Sequence, residues 1–216
     1  MQKFTKITSP AAALREADVD TDVIFPARFL LLLDKAGLGK HLFHERRHRR
    51  DGTRTDFVLN TPPFDQAEIL VAGANFGSGS SREQAVWALT DFGIRCVIAP
   101  SFGEIFYSNC FKNGALPLVI QGDAHERVML AAESGKPITV DLETQTVELP
   151  DGEVIGFDID PYRRRTLMLG LDEIGSILAD DADEIAAFEA RLRASQPWLF
   201  LDDGRLERLF ADTRAR

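Results

Sequence analysis

The sequence predicts an α/β fold with a βαβ core, an antiparallel meander and C-terminal helices, and three observations predict it. Between Glu68 and Pro100 an apolar run, a glycine-rich loop, a segment of helical period and a second apolar run follow one another. KPITVDLETQTVELPDGEVIGFDI then alternates apolar and polar residues as antiparallel strands do, and from Pro161 the period turns helical. A chain of 216 residues, 44% of them hydrophobic, has enough apolar matter for one sizeable core or two small ones. With neither repeats nor a low-complexity linker, residues 1–194 are expected to form one domain and residues 195–216 a charged tail.

EILVAG (Glu68 to Gly73) reads as a buried strand, a short apolar run ending in glycine. The loop ANFGSGSS follows. REQAVWALTDF, from Arg82, then places Ala85, Val86, Leu89 and Phe92 at helical spacing, with Gly93 able to end the helix in a left-handed turn. IRCVIAP is a second buried strand, so a βαβ unit with a right-handed crossover is expected. The loop therefore falls at a helix N-terminus, beside the carboxyl end of a strand. Ser101 to Ile120 reads as a short helix, a turn at Asn113-Gly114 and a strand from Leu116. Asp123 to Glu126 offers a capping arrangement for a helix carrying Val128 to Ala132. The meander breaks at Glu143-Thr144 and Asp151-Gly152. Helical periodicity runs from Pro161 through Ile177 and again from Asp183 to Leu192, before DDGRLERLFADTRAR.

A net charge of −9 argues against nucleic acid as a partner, since neutralising phosphates needs a basic face; HERRHRR (His44 to Arg50) is locally basic and reads as an exposed, solvated loop. No uninterrupted apolar run exceeds the length of Phe29 to Leu33, far short of the ~20 residues that cross a bilayer. The N-terminus lacks the hydrophobic core of a signal peptide, so a cytoplasmic protein with no membrane contact is expected. Cys96 and Cys110 have no CxxC spacing, which leaves neither a disulfide framework nor a self-contained zinc or iron-sulfur site. Neither a metal site nor a cofactor is expected in this chain. His41, His44 and His48 invite a metal reading by proximity, but no acidic or thiol pattern accompanies them.

The stretch NFGSGSSREQA, Asn75 to Ala85, carries the chemistry. Backbone N–H groups around Gly77 and Gly79 at a helix N-terminus suit an anion, and Arg82 adds a planar, two-pronged cation for a carboxylate or phosphate. It is not a P-loop, because no Gly-Lys-Ser/Thr follows, and it is not a nucleophile elbow, because Gly-x-Ser-x-Gly is absent. The competing reading is a turn of small residues with capping serines. On the loop alone, a stand-alone anion-binding module stays open beside an enzyme.

GSGSSREQA, together with DVDTDVIFPARFL (Asp18 to Leu30), DFVLN (Asp56 to Asn60), WALTDFGIRCVIAPSFGEIFYSN (Trp87 to Asn109) and LPL (Leu116 to Leu118), resembles the small subunits of 3-isopropylmalate dehydratase in the aconitase superfamily. The resemblance runs from about Asp18 to about Ala187, with the motifs in the family's order. It implies a swivelling β/β/α domain that pairs with a large subunit holding a four-iron four-sulfur cluster through three cysteines. The implied reaction removes water from 2-isopropylmalate and returns it to give 3-isopropylmalate, in leucine biosynthesis. By the same resemblance Ser80 is the general base, Ser81 orients it or the substrate, and Arg82, with Gly79 of the loop, holds a substrate carboxylate. Asp22 would hydrogen-bond a histidine of the large subunit, while Asp20 supports the turn.

Magnitudes argue for a partner. If a serine hydroxyl is as weak an acid as water, its ionisation at pH 7 is uphill by roughly 12 kcal/mol. A helix N-terminus supplies up to ~2 kcal/mol and one oxyanion donor about 2.7 to 4. Arg82 and a Lewis-acidic iron of the partner are expected to share the load. Two positions depart from the family's usual cysteine and histidine, Ser78 and Gln84, and neither is the proposed base.

FLLLLDKAGLG (Phe29 to Gly39) stands where the family is usually more basic. A run this apolar is too hydrophobic for a fully exposed loop, so part of it should be buried: either it packs on this chain's own core, or Leu31 and Leu32 line a pocket for the substrate's alkyl group. Isopropylmalate is the expected substrate, with a methyl- or dimethylmalate as the alternative.

Overall fold

The computed structural model describes residues 1–32, 34–79, 82–200 and 204. The chain divides into two compact units, Met1–Asp172 and Glu173–Arg216, ahead of the boundary at residue 194 that the sequence suggests. The helical run from Pro161 is not continuous; it breaks at Gly170, and the division follows two residues later.

The first unit contains β1 (Lys6–Leu14), α1 (Thr21–Ile24), α2 (His44–Arg47), β2 (Ile69–Ala72), α3 (Glu83–Phe92), β3 (Cys96–Ala99), α4 (Glu104–Lys112), β4 (Leu116–Val119), α5 (Gly122–Glu133), β5 (Pro137–Asp141), β6 (Thr146–Glu148), β7 (Val154–Gly156) and α6 (Pro161–Leu169). The second contains α7 (Glu173–Asp180), α8 (Ala182–Ser195) and a 3-10 turn, Pro197–Leu199.

A seven-stranded sheet orders the first unit as β4-β3-β2-β1-β5-β6-β7. β1 to β4 are mutually parallel where they pair, whereas β5, β6 and β7 are antiparallel to their neighbours. β1 joins the two regimes with different halves of its length. Lys6 to Pro10 pair with β5, and Ala11 to Leu14 pair with β2. β1 is the element the sequence hides: KITSPAAAL has a proline at its centre and only one large β-branched residue, so its strand character comes from the neighbours on both sides.

β2 and β3 are buried at every position, as parallel strands covered on both faces must be. Alternate residues feed two cores. Ile69, Val71, Cys96 and Ile98 meet Val128, Met129 and Ala132 of α5. Leu70, Ala72, Val97 and Ala99 meet Ala85, Val86, Ala88 and Leu89 of α3, with Phe106 and Cys110 of α4. α3 thus has the apolar stripe its sequence period requires, and Gly93, at φ 115°, ends it by donating its N–H to Leu89 O and Thr90 O.

Asp123 does not cap its helix. α5 starts at Gly122 with Gln121 at the cap, which leaves Asp123 in the first turn, where its charge still opposes the helix dipole favourably. The turns of the meander fall where the sequence puts them, with Asp141 Oδ1 accepting from Glu143 and Thr144 N–H at 2.9 and 3.0 Å. HERRHRR is only partly a solvated loop. Arg47 is buried, donates to Gly39 O (3.1 Å), Leu42 O (3.3 Å) and Asn60 Oδ1 (3.1 Å), and lies 4.7 Å from the ring centroid of Phe92. One cation thereby ties residues 39–42 to the end of α3 and to the Asn60 turn.

Candidate active site

Three segments that follow the carboxyl ends of β1, β2 and β3 meet, the place where open parallel sheets put their ligand-binding loops. The segment after β1 supplies Asp18 to Asp22, that after β2 supplies Asn75 to Gly79 and Arg82, and that after β3 supplies Ser101 to Phe106. Gly77 N–H donates to Val19 O at 2.7 Å and Thr21 N–H donates to Ser78 O at 3.0 Å. On the other side, Phe76 N–H donates to Ser101 O at 3.1 Å and Gly103 N–H to Phe76 O at 2.9 Å. The glycine loop is therefore held from both flanks like a short extra strand.

Glycine at 77 has a physical cause. Its φ is 71°, and a Cβ there would lie 2.2 Å from the Phe106 ring. Gly103 reciprocates, since a Cβ on it would come within 2.4 Å of Gly77 O. Asn75 is anchored by its N–H to Ser101 Oγ (2.8 Å) and by its amide to Asp18 Oδ1 (2.7 Å). Asp20 supports the turn as expected: its carboxylate caps α1 by accepting from Val23 N–H at 2.8 Å. Ser78 contributes its backbone carbonyl, a contact that a cysteine at this position would make equally.

Arg82 stands at the N-cap of α3 and forms an ion pair with Asp22. The side chain of Arg82 is 19% exposed and that of Asp22 51%. Two residues 60 positions apart in sequence, singled out there for separate roles, are brought into direct contact. The helix under Arg82 is fixed by contacts the sequence did not disclose. Glu83 Oε1 accepts from Asn113 Nδ2 (2.9 Å) and Trp87 Nε1 (3.3 Å), and Trp87 Nε1 also donates to Asn113 Oδ1 (2.9 Å). Lys35 reaches the same Asn113 Oδ1 at 3.2 Å and lies over the Trp87 ring. The Glu83/Trp87 spacing of one helical turn was the available signal; the partner at the end of α4 had none.

Ser80 and Ser81 lie outside the described residues, as does Leu33. Gly79 is exposed, next to the Asp20 turn. The apolar run divides: Phe29 and Leu30 pack against the core that contains α3, whereas Leu31 is 89% and Leu32 40% exposed. Two large leucines thus stand outward. Phe29 stacks on His41 with ring centroids 4.0 Å apart, and Arg28 donates to His44 Nδ1 at 2.9 Å. His41 and His44 are packing and hydrogen-bonding partners of the turn that leads into the leucines, and burial lowers the pKa of both. Cys96 and Cys110 are fully buried, one in each core, and burial pushes both thiols up.

A half-parallel sheet with a glycine-rich loop at the carboxyl ends of its parallel strands is the fold class here, and the family model of the aconitase C-terminal domain matches residues 1–123. Two further family models match: LeuD_N over residues 127–161, and the C-terminal domain of the 3-isopropylmalate dehydratase small subunit over residues 180–202. The chain is 54% identical to the 3-isopropylmalate dehydratase small subunit of Parvibaculum lavamentivorans over 202 residues, 92% of this chain and 100% of that one. It is 52% identical to the protein of the same name from Paramagnetospirillum magneticum, with the same coverage. The chain belongs to the 3-isopropylmalate dehydratase small-subunit family. A crystal structure of 3-isopropylmalate dehydratase (leuD) from Methanocaldococcus jannaschii superposes with a TM-score of 0.61 at 26% identity, covering 84% of this chain and 99% of that one.

Proposed function

We propose that the chain is the small subunit of a heteromeric hydro-lyase that interconverts 2-isopropylmalate and 3-isopropylmalate by dehydration and rehydration, in leucine biosynthesis. The observation that carries this reading is identity above 50% across the whole length of relatives bearing that name, with the loop motif at the carboxyl ends of the parallel strands. The partner is a large subunit carrying the four-iron four-sulfur cluster; the two cysteines here lie in separate cores and fall short of the three that such a cluster takes in this reading. The pair works in the cytoplasm. No helix among the described residues is long and apolar enough to cross a membrane.

In this reading Arg82 grips a substrate carboxylate, Ser80 takes the proton from the carbon beside it, and Ser81 orients that exchange. Proton removal in step with charge developing on the substrate avoids a free alkoxide. Leu31 and Leu32, outward-facing in the chain alone, cover the alkyl group once the subunits meet. At ~0.8 kcal/mol per buried methylene, an isopropyl group gains about 1.5 to 2.5 kcal/mol over hydrogen in such a pocket, and part of that over methyl.

The test is co-expression with the large-subunit gene, followed by a substrate panel. A brown, active complex that favours isopropylmalate is expected. A kcat/KM tenfold or more higher for methylmalate or citraconate overturns the leucine assignment. An inactive complex whose small chain binds phosphate tightly replaces the enzyme by an anion-binding module.

Arg82→Lys keeps the charge and loses the planar fork, since an ammonium cannot make the two-pronged contact. A charge-assisted hydrogen bond is worth about 1.5 to 3 kcal/mol, so kcat/KM of the complex should fall roughly tenfold to a hundredfold. Unchanged kinetics would remove Arg82 from the site.

A further inference from the structure

The ion pair between Asp22 and Arg82 uses the two charges that the proposed reaction assigns to different partners, the large subunit's histidine and the substrate's carboxylate. Nearby carboxylates are committed: Asp20 caps α1, Asp18 holds the Asn75 amide, and Glu83 takes Trp87 and Asn113. Among the described residues Asp22 pairs with Arg82, and half of its side chain faces solvent. Arg82 is the more buried partner, so a substrate carboxylate must displace Asp22 before it can use the guanidinium, and the cost of parting the pair is subtracted from its affinity.

Resting on that assignment of the reaction, we propose that Asp22 is an internal stand-in for the substrate: in the free chain its carboxylate occupies Arg82, and docking of the large subunit transfers Asp22 to an imidazole of that partner and releases Arg82 for the substrate's carboxylate. The exchange keeps charges paired throughout. It prevents the free small subunit from sequestering dicarboxylates that it cannot turn over. It also couples substrate affinity to assembly, because the arginine gains its full field only when its neighbour has been taken. Asp22 is accordingly a positioning residue with two alternative partners, set by whether the chain is free or assembled.

The experiment uses the full chain alone, titrated with 2-isopropylmalate by calorimetry or by amide shifts in the NMR spectrum. The wild-type chain and Arg82→Gln should bind equally weakly. Asp22→Asn should bind at least tenfold more tightly than wild type, and the gain should vanish in Asp22→Asn/Arg82→Gln. Asp22→Ala, which removes the carboxylate by another route, should repeat the gain; far-UV dichroism shows that each variant is folded. Wild-type binding as tight as that of the variants, or a gain that survives without Arg82, overturns the proposal. Every alkylmalate carries the carboxylate being read, so a wrong alkyl group leaves this test valid. An active complex whose free small subunit shows no masking sinks the stand-in while leaving the reaction in place.

Discussion

Ser80→Ala abolishes dehydration by the reconstituted complex while leaving subunit assembly and cluster content unchanged. A positioned general base contributes about 10²- to 10⁴-fold to such a step, and alanine has no group to receive the proton. Ser81→Ala should do less damage, because orientation can be met in part by other donors at the α3 N-terminus. Single-turnover rates separate the two, with gel filtration and visible absorbance as controls for assembly and cluster. A ranking in the other order reassigns the base to Ser81. The larger loss is expected at the serine further from Arg82 in sequence, so nearness to the carboxylate grip does not by itself decide which hydroxyl acts.

What the sequence disclosed and what it hid divide along one physical line. β2, α3 and β3 were legible because each carries its own local signal: apolar runs closed by glycine or proline, an unbroken helical stripe, and Gly93 where the chain must turn left-handed. The meander was legible for the same reason. β1 was not, since Ser9, Pro10 and three successive alanines have no strand preference of their own, and only β2 and β5 on its flanks make it one. Arg47 was read with its basic neighbours because nothing local distinguishes it from Arg46, which pairs at the surface with Glu16 (2.7 Å). The Asp22–Arg82 contact is a further case. Each residue's type was suggestive, but their meeting depends on the order of β1 and β2 in the sheet. The leucine run shows the limit of composition: it demanded burial, and Phe29 and Leu30 comply while Leu31 and Leu32 do not.

Gly77→Ala should unfold the site from within, and Gly79→Ala should not. Both glycines have positive φ, 71° and 88°, so an alanine at either meets a left-handed backbone that costs about 1 to 2 kcal/mol. They differ in what the added methyl meets. At Gly79 the nearest atom is Asp20 Cβ at 3.5 Å, an ordinary contact. At Gly77 three atoms of the Phe106 ring lie at 2.2 to 2.6 Å. That ring is buried and boxed by Phe76, 5.4 Å away edge-on, and Phe102, 6.3 Å away and stacked, so it has nowhere to retreat. Overpacking adds about 1 to 3 kcal/mol, a large share of the ~5–15 kcal/mol that holds a domain of this kind together. Gly77→Ala should therefore lower the melting temperature by on the order of 10 °C and carry the loop out of register with the Asp22 turn. Gly79→Ala should cost no more than a few degrees. A second change separates the steric part from the backbone part. Phe106→Ala removes the offending atoms, Cγ, Cδ1 and Cδ2, so in the Gly77→Ala background it should cost less than it does alone, with a coupling of about 0.5 to 3 kcal/mol in a thermal or denaturant cycle. Additive losses, or equal losses at the two glycines, would mean that the loop is set by backbone conformation alone and that its packing on Phe106 contributes nothing to the site.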